Sequence, residues 1–186
     1  FGSILVEGRF KSSNEIECLS PQVSQAGCDE LQVALNGQDF SSFAILGRGT
    51  YTYDDELDLF YTIPSNIPNE YADSKTVSVI GSSFVNTTSM SCLFGQHQVT
   101  KAQYISESEI KCTLPDVLEV GGEVDIGISL NGVDISRKKT SVSIVKPALI
   151  SSISPQRIQE GQAVEILILG DSFIQSSDLQ CRFGLD

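Results

Sequence analysis

The chain has 186 residues, and its 12 Lys and Arg against 24 Asp and Glu give a formal net charge of −12. Because an acidic surface repels phosphates, this charge disfavours nucleic-acid binding and attachment to anionic membranes. The sequence contains one His, which excludes a multi-His metal site and would make any catalytic triad depend on His97. No apolar run approaches the ~18 residues that a membrane-spanning helix needs.

Two blocks in the first part of the chain have counterparts further along it. Residues 15–21 (EIECLSP) match residues 109–115 (EIKCTLP), an offset of 112 − 18 = 94. Residues 35–41 (LNGQDFS) match residues 130–136 (LNGVDIS), an offset of 131 − 36 = 95. Because Asn-Gly supplies the two positive φ angles of a type I′ turn, both Asn-Gly pairs predict β-hairpins.

A second pair of matching blocks lies in the middle and at the end of the chain. In both copies an alternating apolar strand ends at a glycine, which predicts a β-strand with a terminator. The pattern Gly-x-x-Phe, followed by Cys-x-Phe-Gly, starts at Gly81 and again at Gly170. The separation between Phe and Cys is the same in the two copies, 92 − 84 = 8 and 181 − 173 = 8.

These matches predict a repeat of about 90 residues, the size of a small β-sandwich. We therefore expect residues 1–54 to be the second half of a module, residues 55–146 a complete module, and residues 147–186 the first half of another. The chain is then either a stretch of a continuous array or a unit whose half-modules are completed head to tail by other copies. Open halves would expose sheet edges, which favours the continuous array.

The order of these motifs resembles the IPT/TIG domain, the immunoglobulin-like module shared by plexins and transcription factors. The cysteine-bearing form is similar to the tandem arrays of plexins, scatter-factor-type receptors, fibrocystin-like proteins and protist surface proteins. The DNA-binding form uses basic loops, which this chain lacks. The resemblance implies an all-β fold of tandem immunoglobulin-like β-sandwiches. The motif residues that fall in order in the second repeat are Gly81, Phe84, Cys92, Phe94, Gly95, Ile110, Cys112, Pro115, Asn131 and Gly132.

The resemblance also implies how the five cysteines are used. Cys92 is expected to pair with Cys112, whereas Cys18 and Cys181 are expected to pair with partners outside the chain. Cys28 has no counterpart in the second repeat and stays unassigned, with a local Cys18–Cys28 bond as an alternative. Five reduced, buried cysteines are the other interpretation. Recurrence of the Cys spacing with the repeat favours disulfides.

An acidic run marks the expected start of the complete module. Asp54, Asp55, Glu56 and Asp58 could bind Ca²⁺ at the joint between modules, since hard cations prefer oxygen ligands. The run lacks the Asp-x-Asp-x-Asp-Gly spacing, and the next junction has no such cluster. A solvated acidic linker is the favoured interpretation.

Asn86-Thr87-Thr88 is an N-glycosylation sequon in the expected turn after Phe84. The third repeat has Gln175 at the matching position, so a glycan would be particular to the second module. One such triplet is expected by chance, but together with the cysteine pattern it favours a secreted chain.

Three further features have ordinary explanations. His97 is expected in an exposed loop rather than in a zinc site or a Cys–His nucleophile pair. The basic run at residues 137–139 follows the Asn-Gly pair, where Lys-rich segments often blunt an edge strand. A solvated turn is favoured over a docking patch for an acidic partner. Tyr53 and Phe60 belong to an aromatic cluster that either packs between modules or forms a ligand surface.

The predicted function is non-enzymatic: a structural or adhesive segment of a large extracellular or cell-surface repeat protein. Its modules would be rigid spacers that contact other protein modules or copies of the chain, or assemble filaments, without a cofactor. One alternative is the stalk of a plexin-like or fibrocystin-like receptor ectodomain. Another is a calcium- or carbohydrate-dependent binding module, centred on the acidic run. Paired-carboxylate catalysis is disfavoured, because small sandwiches rarely hold the required groove.

Overall fold

The computed structural model describes residues 4–41, 50–69, 76–116, 118 and 120–184. The Phe1-Gly2 pair, whose sequence matches Phe94-Gly95, lies outside these residues. The described residues form β-strands and connecting loops, which confirms the all-β prediction. They include no helix long and apolar enough to cross a membrane. The chain divides into two compact units, Phe1–Asp55 and Glu56–Asp186.

The N-terminal unit consists of short antiparallel pairs. β1 pairs with β2, β3 with β6, and β4 with β5. The strands are β1 (Gly8–Ser12), β2 (Glu15–Cys18), β3 (Gly27–Glu30), β4 (Val33–Ala34), β5 (Phe40–Ser41) and β6 (Thr50–Tyr53).

The C-terminal unit contains an immunoglobulin-like sandwich at residues 57–145, hereafter the sandwich. Its strands are β7 (Asp58–Ile63), β8 (Asn66–Pro68), β9 (Thr76–Ser82), β10 (Ser91–Phe94), β11 (Gln98–Ser106), β12 (Glu109–Thr113), β13 (Glu123–Ser129) and β14 (Thr140–Val145). They are hydrogen-bonded in the order β7-β9-β12-β11-β10-β13-β14-β8. β11 pairs with β10 in its first half and with β12 in its second half. It therefore connects a β7-β9-β12 layer to a β10-β13-β14-β8 layer.

The core lies between the two layers because alternate side chains of each strand point inward. Val77 and Val79 of β9 are fully buried, and so are Ile110 of β12 and Ile126 and Ile128 of β13. Burial of each such side chain contributes about 1.5–3 kcal/mol. The inward hydroxyl of Thr62 is also satisfied, since it donates a hydrogen bond to the carbonyl of Ser141 at 2.9 Å.

A disulfide between Cys92 and Cys112 joins the two layers. Cys92 lies in β10 and Cys112 in β12, with 5.9 Å between their Cα atoms and a sequence separation of 20. Both residues are completely buried. The bond therefore lies within the apolar core rather than at its rim. Cys18, Cys28 and Cys181 are free and exposed. The pairing of Cys18 and Cys181 with partners outside the chain stays a prediction, and Cys28 stays unassigned.

The last two strands, β15 (Leu149–Ser154) and β16 (Leu167–Asp171), form an antiparallel pair that we call the C-terminal hairpin. It reproduces the pairing of β7 with β9. Ile150 lies opposite Gly170, as Leu59 lies opposite Gly81, and a bulge follows in both pairs.

The N-terminal unit reproduces another part of the sandwich. In the β1–β2 pair Phe10 lies opposite Ile16, as Tyr104 lies opposite Ile110 in the β11–β12 pair. Both pairs have a register shift directly after the aromatic residue. The repeated sequence blocks therefore form the same local structure, whereas the arrangement of several complete sandwiches in tandem stays a prediction.

Antiparallel pairing on both sides of each Asn-Gly pair is confirmed, since β13 pairs with β14 and β4 with β5, but the type I′ turn is wrong. β13 ends at Ser129 and β14 begins at Thr140, so Asn131-Gly132 starts a long loop. The side-chain Oδ1 of Asn131 accepts hydrogen bonds from the backbone N–H groups of Val133 and Asp134, at 2.9 and 2.8 Å. This side-chain turn competes with the two-residue hairpin. Residues 36–39 form the same turn between β4 and β5.

The basic run at residues 137–139 is exposed in a loop, in agreement with the favoured interpretation as a solvated turn, and does not lie on an edge strand. It belongs to the loop before β14, and β14 is flanked by β13 on one side and by β8 on the other. The parallel pairing of Ser143 with Asn66 covers the edge that the run was expected to protect. One contact that the run makes is an ion pair between Lys138 and Asp58.

Candidate functional site

The Gly-x-x-Phe motif forms a tight corner at the end of β9. Ser83 adopts a left-handed φ of 65°, which turns the chain so that the buried ring of Phe84 packs against Gly81. A Cβ atom on Gly81 would lie 2.6 Å from Cζ of that ring, so only glycine fits. The N–H groups of Gly81 and Phe84 donate to the carbonyls of Ser108 and Glu107, both at 3.1 Å. The motif therefore fixes β9 to the turn between β11 and β12.

A set of polar contacts, which we call the junction, connects the sandwich to the segment that contains the C-terminal hairpin. Ser65 Oγ donates to Asp178 Oδ2 at 3.3 Å, and Asn66 Nδ2 donates to Ser176 Oγ at 3.3 Å. The Ser65 and Asn66 side chains are partly buried. The Ser65 carbonyl also accepts the N–H of Ser143 at 3.0 Å, so this side of the junction is anchored to β14.

The covalent connection at the junction is short. Lys146, Pro147 and Ala148 are the residues between the end of β14 and the start of β15. Proline restricts one backbone dihedral of this connector and the preceding residue as well. The sandwich and the C-terminal segment are thus attached at two separate places, by the connector and by the side-chain contacts.

The sequence alone did not predict Ser65, Asn66, Ser176 and Asp178 as contact residues. All four are polar loop residues of ordinary composition. The Asn66–Ser176 contact joins positions 110 residues apart in the sequence. No periodicity or motif marks such a contact, because it depends on how the hairpin is placed.

The acidic run does not form a metal site among the described residues, which hold no group of three His, Cys, Asp or Glu side chains placed for metal binding. Asp58 instead forms an ion pair with Lys138 of the basic run. The hydrogen bond and the charge of Asp58 raise the pKa of Lys138 above its usual value, and Glu56 adds to this. Asp54 and Asp55 are exposed. A Ca²⁺ ion would have to displace Lys138 from Asp58.

His97 and Asn86 both lie in exposed loops. His97 is in the turn between β10 and β11. Cys92 cannot form a nucleophile pair with His97, because the sulfur of Cys92 is bonded to Cys112. Asn86 lies in the loop between β9 and β10, where the neighbouring Thr87 hydroxyl donates to the carbonyl of Leu130. The sequon is therefore accessible on a loop that is tied to the sandwich.

The residues of the predicted aromatic cluster belong to two different units. In the N-terminal unit, the rings of Tyr51 and Tyr53 meet edge to face at 5.0 Å. Tyr53 donates to the carbonyl of Pro21 at 3.3 Å. Partial burial raises the pKa of Tyr53, and Tyr51 and Asp29 add to the shift. In the C-terminal unit, Phe60 is 59% exposed on β7.

Comparison with known proteins identifies the central segment. Residues 63–144 match the family model of the IPT/TIG domain. Among solved structures, the chain is similar to the full extracellular region of plexin A4, domains 1 to 10, with 18% sequence identity and a TM-score of 0.47. That match covers 75% of this chain and 11% of the plexin chain, so the chain spans a small part of that protein. No curated protein matches the chain.

Proposed function

We propose that the chain is a non-enzymatic, rigid spacer segment of a larger extracellular or cell-surface protein. The match of residues 63–144 to the family model of the IPT/TIG domain supports this proposal. The sandwich holds neighbouring parts of that larger protein at a fixed distance and angle. Its exposed loops and strand edges are available for contacts with other protein modules.

The observation that carries this proposal is the junction between the sandwich and the C-terminal hairpin. A flexible linker would be rich in Gly and Ser and long enough to separate the parts it joins. Here Lys146, Pro147 and Ala148 make the connection, and Ser65 and Asn66 bridge the same gap through side chains. Because these two attachments lie at different places, bending about the connector would break the bridging hydrogen bonds.

The extracellular assignment is supported by the disulfide and by surface chemistry. Structural disulfides persist in oxidising compartments and are rare in the cytosol. The bond between Cys92 and Cys112 is completely buried, as expected of a structural bond. The exposed Asn86 sequon and the net charge of −12 fit a soluble surface outside the cell.

The test of the rigid-spacer proposal is ¹⁵N relaxation measured on the whole chain. We expect backbone amides of β16 to report the same rotational correlation time as those of β13. In a Ser65→Ala, Asn66→Ala double variant the value for β16 should fall below that for β13. A Thr140→Ala variant is the matched control, since it changes a hydroxyl of the sandwich outside the junction. A β16 that already tumbles independently in the unmodified chain would contradict the proposal.

A further inference from the structure

We infer that Asn36 is a site of spontaneous modification, at which the Asn36-Gly37 pair cyclises to a succinimide that opens to aspartate or isoaspartate. The same dipeptide at Asn131-Gly132 is protected from this reaction by Ser129. The inference concerns the chemistry of two turns within the chain and does not depend on the spacer role.

The two Asn-Gly pairs form the same side-chain turn. Oδ1 of Asn36 accepts two backbone N–H groups at 3.0 and 2.9 Å, and Oδ1 of Asn131 accepts two at 2.9 and 2.8 Å. In each turn Nδ2 donates to the Asp carboxylate three residues further on, at 2.7 and 3.0 Å. Gly37 and Gly132 have φ angles of 73° and 76°. A difference in reactivity between the two asparagines therefore has to come from outside the turn itself.

The residues that close the two loops also correspond. Val33 lies opposite Ser41 in the β4–β5 pair. Their counterparts 95 residues later (128 − 33 = 95) are Ile128 and Ser136. The N–H of Ser136 donates to the carbonyl of Ile128 at 2.8 Å. Residue 34 thus occupies the same place in its loop as residue 129 does in the sandwich.

Ser129 is the feature that differs between the loops. Its Oγ accepts the N–H of Gly132 at 2.9 Å and donates to Oδ1 of Asn131 at 3.3 Å. Ser129 is 1% exposed, so water does not compete for these hydrogen bonds. The matching residue in the first loop is Ala34, which has no hydroxyl. The N–H of Gly37 therefore lacks this acceptor.

Cyclisation uses the backbone nitrogen of the glycine as the nucleophile. This nitrogen attacks Cγ of the preceding asparagine, and a glycine favours the approach because no Cβ atom hinders it. The nitrogen gives up its proton, a new N–C bond forms, and the C–N bond of the side-chain amide breaks. The amide nitrogen leaves as ammonia and carries the proton away.

Hydrolysis of the succinimide completes the modification. Addition of water to the Cγ carbonyl gives aspartate, and addition to the backbone carbonyl gives isoaspartate. In total one water is consumed, one ammonia is released, and no atom is oxidised or reduced. Solvent water is the co-reactant.

At Asn131, Ser129 keeps the nucleophile in a hydrogen bond. The proton that the nitrogen of Gly132 must lose is the one that Ser129 Oγ accepts. The second hydrogen bond of Ser129 holds the side-chain amide of Asn131 in the turn. Ring closure would leave the buried hydroxyl without its donor, which raises the barrier. We expect the reaction at Asn131 to be about tenfold slower than at Asn36, or slower still.

The test follows both asparagines in the same molecule. The whole, folded chain is incubated at neutral pH in water enriched in ¹⁸O, and peptide mapping then measures labelled aspartate and isoaspartate at residues 36 and 131. The label separates conversion during incubation from conversion during digestion. We expect labelled product to accumulate at Asn36 at least about tenfold faster than at Asn131. Equal rates, or a faster reaction at Asn131, would overturn the inference.

Two reciprocal variants test the serine itself. Ser129→Ala should raise the rate at Asn131 about tenfold and leave the rate at Asn36 unchanged. Ala34→Ser supplies the missing hydroxyl and should lower the rate at Asn36. An unchanged or slower reaction at Asn131 in Ser129→Ala would overturn the inference, because the hydroxyl would then not withhold the proton.

Thr62→Ala separates this local effect from a general loss of stability. It removes another buried hydroxyl of the sandwich, which donates to the carbonyl of Ser141. We expect this variant to leave the rate at Asn131 unchanged. An acceleration as large as that in Ser129→Ala would show that unfolding of the sandwich controls the reaction, and would overturn the inference.

Discussion

Ser83 and Ser172 lie 89 residues apart (172 − 83 = 89) and adopt the same left-handed backbone conformation, with φ angles of 65° and 60°. A positive φ is uncommon for residues other than glycine. In both copies the serine lies between a glycine without room for a Cβ atom and a phenylalanine ring that packs on it. In the second copy the ring of Phe173 is exposed, yet the backbone forms the same corner. The four residues of the motif therefore specify the corner without burial of the ring.

Gly81→Ala should destabilise the sandwich by about 1–3 kcal/mol, the usual cost of overpacking a core. The new methyl group would meet the Phe84 ring and the carbonyl of Asp58, neither of which can move without disturbing β9. Urea unfolding measures the change. Gly122→Ala is the control, because no atom lies within 4 Å of its added Cβ. Equal stability of the two variants would contradict the close packing of Phe84 on Gly81.

Replacing Cys92 and Cys112 together by Ala should lower the free energy of unfolding by about 3 kcal/mol, the value expected for a closed loop of this length. The bond restricts a loop with a sequence separation of 20 in the unfolded chain. The urea midpoint of the sandwich should fall accordingly. Cys28→Ala is the control, since Cys28 is exposed and free. A loss no larger than that of the control would argue against a stabilising disulfide.

The ion pair between Lys138 and Asp58 should make a small, pH-dependent contribution to stability. The pKa of Lys138 is raised in the folded state, so the contribution is complete below the ordinary lysine pKa. It is lost as the pH rises through the raised value. The difference in urea midpoint between the unmodified chain and Lys138→Gln should be constant up to about pH 9.5 and should shrink above about pH 10, where lysine titrates.

Lys139→Gln is the matched control for this pH series, because it removes the same charge at the next position. Since both lysines are exposed, salt should weaken the Lys138 effect as well. Two results would contradict the assigned ion pair. One is a loss of urea midpoint in Lys138→Gln that grows with pH, and the other is a loss equal to that of Lys139→Gln at every pH.

Asn86 should carry an N-linked glycan when the chain is secreted from a eukaryotic host. Its side chain is exposed on a loop, and Thr88 completes the sequon. Thr88→Ala removes the sequon but leaves the hydrogen bond of Thr87 to Leu130 in place. Intact-mass measurement should find the glycan on the unmodified chain and not on the variant. Secretion of a fully unglycosylated chain would contradict this prediction.

The core residues were predictable because the sequence patterns that mark them are short or recur along the chain. Alternation along β9, the glycine at its end and the recurrence of the Phe–Cys spacing identify an inward face and a strand end without any knowledge of distant contacts. The sandwich around Val77 and Val79 therefore follows from the sequence pattern and its resemblance to a family.

The loop conformations were less predictable, because hydrogen bonds between side chains and nearby backbone groups compete with the expected turns. Asn131 satisfies two backbone N–H groups with its own side chain. This turn replaced the expected type I′ turn, although β13 and β14 still pair as antiparallel neighbours. The junction is harder still to predict. Asn66 and Ser176 meet only because the whole hairpin is placed beside the sandwich, and neither residue type signals a contact.

The most direct test of the account is a non-reducing peptide map of the chain secreted into an oxidising compartment. A disulfide-closed sandwich predicts one linked peptide pair that contains Cys92 and Cys112, in high yield and without prior denaturation. Reduced Cys92 and Cys112 in the folded, secreted chain would contradict both the closed sandwich and the extracellular assignment.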